Sequence, residues 1–209
     1  MDATVVITGG GAGLGAAIAR TLAPRADPLV LGGPDVEALV AVEESIAEVD
    51  GELALVRADA RDEFDLERLM ETAARRGEGI DVLIPAAEVH HGSGGSSIAS
   101  ASYSAFDDTF RTNVRGVFAA VREAIPHFAG EGWILVPVAP RSGAVERAAG
   151  TYRASKHAVR GLIETLATDL DHSVVGIDHG VPVPSHAEEA ELDDAAGLFA
   201  QALEYDGEA

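Results

Sequence analysis

Residues 4–15 decide the fold of this chain, and they read Thr-Val-Val-Ile-Thr-Gly-Gly-Gly-Ala-Gly-Leu-Gly. The apolar run at residues 4–8 stops at glycines, which is typical of a strand buried on both faces of a parallel sheet. The glycines allow a sharp turn and a close approach of backbone N–H groups to a phosphate, and a helix is predicted to follow over residues 16–22. The start of that helix offers unpaired N–H donors and a partial positive charge. This strand, turn and helix predict a nucleotide-binding α/β fold.

The rest of the chain alternates short β-rich runs with longer helical patterns. Further strands are predicted at residues 29–31, 53–57, 81–84, 133–138 and 174–177. Helices are predicted at residues 34–49, with Pro34 in the first turn, and at residues 63–76, 104–128, 151–170 and 187–205. Such alternation builds βαβ crossovers. We therefore expect one doubly wound (Rossmann) parallel sheet of about six strands with helices on both faces, in a single domain over residues 1–209.

Composition excludes several classes of protein. The chain has no cysteine, which removes disulfides, thiolate metal sites and cysteine nucleophiles. No apolar run approaches the roughly 18 residues of a membrane span, and the first four residues lack the basic region of a secretion signal. Scattered histidines, with His90 and His91 merely adjacent, predict no metal site. We expect a cytoplasmic protein with no membrane partner.

The net charge of −20 bears on partners and habitat. Such a field repels nucleic acid, so no nucleic-acid partner is expected. The self-repulsion is tolerable near 1 M salt, where the Debye length shrinks to about 3 Å. All basic residues except Lys156 are arginine, which together with the acidity predicts a halophilic source; a GC-rich genome is the alternative explanation. The acidic pairs Glu188-Glu189 and Asp193-Asp194 are predicted to form a solvated face.

Residues 152–156 read Tyr-Arg-Ala-Ser-Lys and predict acid–base chemistry. The spacing of four residues puts Tyr152 and Lys156 on one face of a helix. A tyrosine has an ordinary pKa near 10, and a cation held close stabilises the phenolate and lowers that pKa toward working pH. Because Lys156 is the only lysine of the chain, its position here is improbable by chance. Arginine is a poorer substitute for this compact ammonium.

Four motifs in order resemble those of the short-chain dehydrogenase/reductase family. Thr8, Gly9, Gly13 and Gly15 match its T-G-x-x-x-G-x-G turn, Asp59 matches its adenine-binding aspartate, Asn113 its helical asparagine, and Tyr152 with Lys156 its Y-x-x-x-K pair. The resemblance runs from about Thr4 to Gly180. It implies the doubly wound fold and a dinucleotide cofactor.

The resemblance also implies roles for individual residues. Tyr152 would be the catalytic acid and base, Lys156 its activator and a ribose ligand, and Asn113 a proton relay through a water. The implied cofactor-binding residues are Gly9, Gly13, Leu14, Gly15, Asp59, Ala60, Ala86, Tyr152 and Lys156. In the family, the helices that correspond to residues 104–128 and 151–170 form the main dimer interface, so a homodimer or homotetramer is expected.

The sequence departs from the family pattern at the expected substrate side. The position of the substrate-orienting serine holds Ala139, and Ser142 could replace it only if the loop is remodelled. Glu88 ends the segment Pro85-Ala86-Ala87-Glu88 in place of N-N-A-G, which puts a carboxylate close to the expected nicotinamide ribose. Gly180-Val181 stands where the family has P-G. The family's substrate loop after the sixth strand is missing, which predicts a shallow pocket or one completed by a neighbouring subunit.

Cofactor choice and turnover stay open at this point. The second strand ends at Gly32-Gly33 and Pro34, so neither an acid for the NAD ribose nor a base for the NADP phosphate is present there. Asp35 is interpreted as an acid of the first helical turn. The leading hypothesis is an NAD(P)-dependent oxidoreductase acting on a small carbonyl or secondary alcohol. The alternative is a degenerate member that binds dinucleotide or a protein partner without turnover.

Overall fold

The computed structural model describes residues 3–46, 51–91, 98–138, 150–180 and 188–204. Its strands are β1 (Ala3–Thr8), β2 (Ala26–Gly33), β3 (Leu53–Arg57), β4 (Ile80–Pro85), β5 (Phe128–Val138) and β6 (Ser173–Asp178). They form one parallel sheet in the order β3-β2-β1-β4-β5-β6. The strand order reverses between β1 and β4, and in such sheets ligands bind at the carboxyl ends of the strands beside this switch point. The predicted fold class is confirmed.

Helices cover both faces of the sheet. They are α1 (Gly13–Leu22), α2 (Val36–Ser45), α3 (Glu63–Arg76), α4 (Tyr103–Phe110), α5 (Gly116–Ala124), α6 (Gly150–Asp169) and α7 (Glu189–Glu204). Alternate residues of a strand point to opposite faces, so Val5 and Ile7 of β1 pack with α1, α2 and α7, whereas Val6 packs with α3, α5 and α6. Within the described part of the chain, no helix is both long enough and apolar enough to cross a membrane.

One predicted helix, residues 104–128, is wrong as a continuous element. A buried π-helical turn (Arg111–Arg115) separates α4 from α5. At the other end Pro126 lies in a 3₁₀ turn (Ile125–His127), because proline cannot continue the helical hydrogen bonds. Phe128 already belongs to β5, where it pairs with Ile80 of β4.

The second predicted helix also begins later than expected. Asp35 is the residue that caps α2, since its carboxylate accepts hydrogen bonds from the N–H groups of Glu37 and Ala38. Pro34 therefore precedes the cap and is not part of the first turn. The helix ends at Ser45, and residues 47–49 of the prediction lie outside the described residues.

The acidic pairs of α7 lie where the sequence predicted them. Glu188, Glu189, Asp193 and Asp194 are all exposed, whereas Leu192 and Phe199 on the opposite face are buried against α1 and the sheet. This amphipathic arrangement confirms the prediction of a solvated acidic face.

Candidate active site

The glycine turn between β1 and α1 combines close packing with an open surface. A Cβ at Gly9 would lie 2.5 Å from Cα of Ala87, and one at Gly15 would lie 2.3 Å from the carbonyl oxygen of Gly9. Gly9 (φ 71°) and Gly13 (φ 53°) are both left-handed, but Gly13 differs because no atom lies within 4 Å of an added Cβ. The N-cap of α1 is Ala12, which provides no side-chain hydrogen bond. The first N–H groups of α1 are thus available to an anion in front of Gly13.

A cleft of about 660 Å³ opens at this turn, within the size range of ligand sites. It runs along the carboxyl ends of the strands around the switch point. It is lined by Gly9, Gly11, Ala12, Gly13, Leu14, Gly33, Pro34, Asp35, Ala38, Asp59, Ala60, Arg61, Ala86, Ala87, Glu88, Val89, Thr112 and Leu192.

Most of the residues that the sequence nominated for cofactor binding meet in this cleft. Its lining includes Gly9, Gly13, Leu14, Asp59, Ala60 and Ala86. Gly15 lies directly behind Gly9, where only a residue without a Cβ fits. Tyr152 and Lys156 are not part of the lining. They are buried next to Glu88, and Glu88 does line the cleft.

Glu88 holds Tyr152 and Lys156 together. Its Oε2 lies 3.2 Å from the Tyr152 hydroxyl, which donates to it, and 2.6 Å from Nζ of Lys156. Nζ of Lys156 also donates to the carbonyl oxygen of Pro137 over 3.3 Å. Tyr152 and Lys156 are 2% and 7% exposed. Glu88 lines the cleft, so its carboxylate connects the buried phenol and ammonium to that cleft.

The sequence predicted that Lys156 lowers the pKa of Tyr152, whereas in this arrangement Glu88 contacts both side chains. Burial, followed by the charge and hydrogen bond of Glu88, raises the pKa of Tyr152 well above its usual value. The ammonium of Lys156 lies 5.6 Å from the centre of the Tyr152 ring, while its charge is taken up by Glu88. The sequence marked Glu88 only as a departure from the family pattern near the expected ribose. Its position in the sequence does not indicate that it contacts both Tyr152 and Lys156.

Asn113 lies in the π-helical turn and is 1% exposed. Its Oδ1 accepts from the N–H of Val89 over 2.8 Å, and its Nδ2 donates to the carbonyl oxygen of Val89 and to Oγ of Ser155, each over 3.0 Å. Ser155 in turn donates to the carbonyl oxygen of Tyr152 over 2.7 Å. The side chain of Asn113 thus fixes the backbone next to Glu88 and links it to α6.

Two histidines near the cluster were not nominated by the sequence. The ring of His90 meets the ring of Tyr152 edge to face, with centroids 5.5 Å apart. His179 follows β6 and is 3% exposed. Burial, and next the charge of Lys156, lower the pKa of His179 to about 4. No sequence pattern marks a histidine that a parallel strand brings close to a distant helix.

Asp59 is engaged by the protein itself. Arg61 donates to both carboxylate oxygens of Asp59, over 2.7–3.1 Å, and also to Asp108. His91 extends the network, since its Nε2 lies 2.6 Å from Asp108. The hydrogen bonds from Arg61 lower the pKa of Asp59, and those to Asp59 and Asp108 raise the pKa of Arg61. This ionic network borders the cleft beyond β3.

Some sequence predictions cannot be compared with the structure. Ala139, Ser142 and Val181 lie outside the described residues. Among the residues that are described, no group of three or more histidine, aspartate or glutamate side chains could hold a metal ion.

Comparison with known proteins agrees with this geometry. A family model described as short chain dehydrogenase matches residues 3–188. D-β-hydroxybutyrate dehydrogenase of Rhizobium meliloti is 30% identical over 187 residues, which cover 87% of this chain and 71% of that protein. The chain spans about two thirds of the length of the sequence relatives that it matches.

Solved structures give the same result. A metagenomic short-chain oxidoreductase in complex with NADP matches with a TM-score of 0.80 and 28% identity, covering 96% of this chain and 91% of that one. The 3-ketoacyl-(acyl-carrier-protein) reductase of Brucella melitensis, complexed with NADH, matches with a TM-score of 0.73 and 27% identity, covering 83% and 74%. The chain therefore belongs to the short-chain dehydrogenase/reductase family.

The lowered pKa of His179 predicts a specific pH dependence of stability. Between the ordinary histidine pKa of 6.5 and the folded value of about 4, the unfolded chain binds a proton that the folded chain does not. The contribution of His179 to the free energy of unfolding is fully present above about pH 6.5. It falls by up to about 3 kcal/mol as the pH drops to about 4. Urea unfolding of His179→Gln should show a flatter pH dependence in this window.

The exposed His157→Gln variant is the control and should keep the dependence of the parent. An identical slope in His179→Gln and the parent would contradict the assignment.

Proposed function

We propose that this protein is an NAD(P)-dependent oxidoreductase that interconverts a carbonyl and a secondary alcohol. The observation that carries the proposal is the cleft that joins the glycine turn of β1 and α1 to the buried cluster of Tyr152, Glu88 and Lys156. A cleft with phosphate-binding geometry at one end and a proton-transfer group at the other suits a dinucleotide-dependent reaction.

Three features of the cleft fit a dinucleotide. Gly13 leaves open the space that a side chain would fill, and the uncapped start of α1 suits the pyrophosphate. Oγ1 of Thr112, 6% exposed, has no hydrogen-bond partner within the described chain, although this residue lines the cleft. A buried hydroxyl without a partner costs free energy, which a hydroxyl or phosphate of a ligand would recover.

The residues that would hold the dinucleotide follow from this fit. Gly9, Gly13, Leu14 and Gly15 would hold the pyrophosphate, and Asp59, Ala60 and Ala86 the adenosine and the adjoining ribose. When bound, the dinucleotide supplies hydride exchange at the substrate carbon. Tyr152 would exchange the proton at the substrate oxygen, Lys156 would hold charge beside it, and Asn113 would keep the segment next to Glu88 in place.

The solved relatives include one complexed with NADP and another complexed with NADH, so the choice between the two cofactors rests on this chain's own residues. In this chain the lining beyond β2 includes the carboxylate of Asp35, and Arg61 is bound to Asp59 and Asp108. A carboxylate disfavours the extra phosphate of NADP. NAD is therefore the cofactor to test first, and parallel titrations with NADH and NADPH decide between them.

The relatives are named for unrelated molecules, hydroxybutyrate and a 3-ketoacyl-(acyl-carrier-protein), which share a carbonyl or alcohol group. The degenerate alternative, binding without turnover, is the less favoured of the two hypotheses, since the relatives are named dehydrogenases or reductases.

Gly13→Ala tests the cofactor site. A methyl group there would enter the open space in front of α1, and the left-handed backbone would cost roughly 1–2 kcal/mol. We expect the Kd for NADH, measured by fluorescence titration, to rise about tenfold or more. Gly197→Ala in α7, where an added Cβ also meets no atom within 4 Å, is the control and should leave the Kd unchanged. Equal Kd values in all three proteins would argue against a pyrophosphate at this turn.

Tyr152→Phe tests the chemistry. Loss of the hydroxyl removes the group that exchanges the proton, so kcat for a panel of aldehydes, ketones and secondary alcohols should fall by about 10²–10⁴-fold. The Kd for the cofactor should stay within about twofold, because the tyrosine is not part of the cleft lining. An unchanged kcat would remove Tyr152 from the mechanism, and cofactor binding without turnover in the parent protein would favour the degenerate alternative.

We also propose a homodimer or homotetramer, assembled through α4, α5 and α6. Tyr103 is 92% exposed, and Phe106 and Phe118 are exposed on the same pair of helices. Apolar surface of this kind is typical of an interface.

Phe106→Arg should lower the mass measured by sedimentation equilibrium at about micromolar concentration, where many specific dimers persist. Phe64→Arg changes another exposed phenylalanine, on α3, and should leave the mass unchanged. A monomeric parent protein would contradict the proposal.

A further inference from the structure

We propose that Glu88 is a second proton-transfer residue of the reaction, which takes the proton of Tyr152 during alcohol oxidation and returns it during carbonyl reduction. This inference rests on the function proposed above. Glu88 is the departure from the family pattern that reaches both members of the Tyr152 and Lys156 pair.

The geometry gives Glu88 the proton of the phenol. The Tyr152 hydroxyl has one hydrogen, and it points to Oε2 of Glu88 over 3.2 Å. The lone pairs of the phenol oxygen then remain free to accept a hydrogen bond from an alcohol. Distances of this order allow protons to move along two consecutive hydrogen bonds, from the alcohol to the phenol oxygen and from the phenol to Glu88.

Alcohol oxidation by this route moves two protons and one hydride. The O–H bond of the alcohol breaks and its proton binds to the phenol oxygen of Tyr152, while the original phenol proton moves to Oε2 of Glu88. The electron pair of the alcohol C–H bond leaves as hydride to the oxidised dinucleotide, and the carbonyl double bond forms. Tyr152 is neutral before and after, and Glu88 changes from carboxylate to carboxylic acid. Because Glu88 also lines the cleft, the proton can leave to water.

This route explains how a tyrosine with a raised pKa can work. Burial and the charge of Glu88 oppose formation of a free phenolate, so a route that keeps the phenol neutral throughout is favoured. Nζ of Lys156 lies 2.6 Å from Oε2 of Glu88. Among the described residues, His90 lies against the Tyr152 ring, and His179 is influenced by the charges of Lys156 and Glu88 and by those of Asp178 and Arg160.

Glu88→Gln removes the proton acceptor with almost no change in shape. We expect kcat for alcohol oxidation to fall by about 10²-fold or more, with a change in the shape of its pH profile. A residue that only positions Tyr152 would change the rate without changing the shape of the pH profile. Glu71→Gln, at an exposed ion pair on α3, is the matched control and should behave as the parent.

Two further measurements distinguish loss of the proton acceptor from a structural effect of Glu88→Gln. In Glu88→Ala, added formate should restore part of the lost rate, whereas chloride at the same ionic strength should not. In the protein without cofactor, ultraviolet difference absorbance should show Tyr152 ionising at lower pH in Glu88→Gln than in the parent. Subtraction of the Tyr152→Phe spectrum isolates this residue from the other tyrosines.

The outcomes separate the two proposals. If Tyr152→Phe loses turnover while Glu88→Gln keeps the parent rate and pH profile, the role of Glu88 is overturned and the oxidoreductase stands. An unchanged ionisation of Tyr152 in Glu88→Gln would overturn the coupling directly, without any assay of turnover. If neither NADH nor NADPH binds the parent protein, both proposals fall.

Discussion

A buried ammonium needs a counter-charge, and the Glu88 carboxylate supplies it for Lys156. The arrangement of the described site depends on this ion pair. Removal of a charge from water costs several kcal/mol unless a partner and hydrogen bonds replace the lost hydration. Glu88, which follows β4, supplies the charge, and Pro137 of β5 supplies a carbonyl oxygen. The pair thereby fixes α6 against the ends of two neighbouring strands. Asn113 completes this arrangement by holding the backbone of Val89, so the carboxylate cannot move away independently.

The same pair sets the electrostatics of the site. Lys156 and Glu88 neutralise each other, which leaves Tyr152 in a buried environment where its proton is held firmly. His179 responds to the same two charges and stays neutral down to about pH 4.

The fold and the phosphate end of the cleft could be read from the sequence because their signals are local. Strand β1, the glycine turn and α1 are consecutive, and Gly15 is required by a contact within that short segment, whereas Gly9 also packs against the segment that follows β4.

The other end of the cleft depends on residues far apart in the chain. Glu88, Tyr152 and His179 meet only because parallel strands end at one edge, and no periodicity predicts that the ammonium of Lys156 binds a carboxylate instead of acting on the phenol. The sequence did not predict the interruption of the helix at Asn113, because no proline or turn motif marks that position.

The π-helical turn around Asn113 amounts to one residue inserted into an α-helix. Each helical residue turns the chain by about 100°. A regular helix through α4 and α5 could therefore direct either Asn113 inward or the aromatic side chains outward, but not both. Either Asn113 would reach Val89, or the aromatic residues of α4 would share their outward direction with Phe118. The insertion allows both, so a deletion of a single residue here would separate the inner framework of the site from the outer apolar surface.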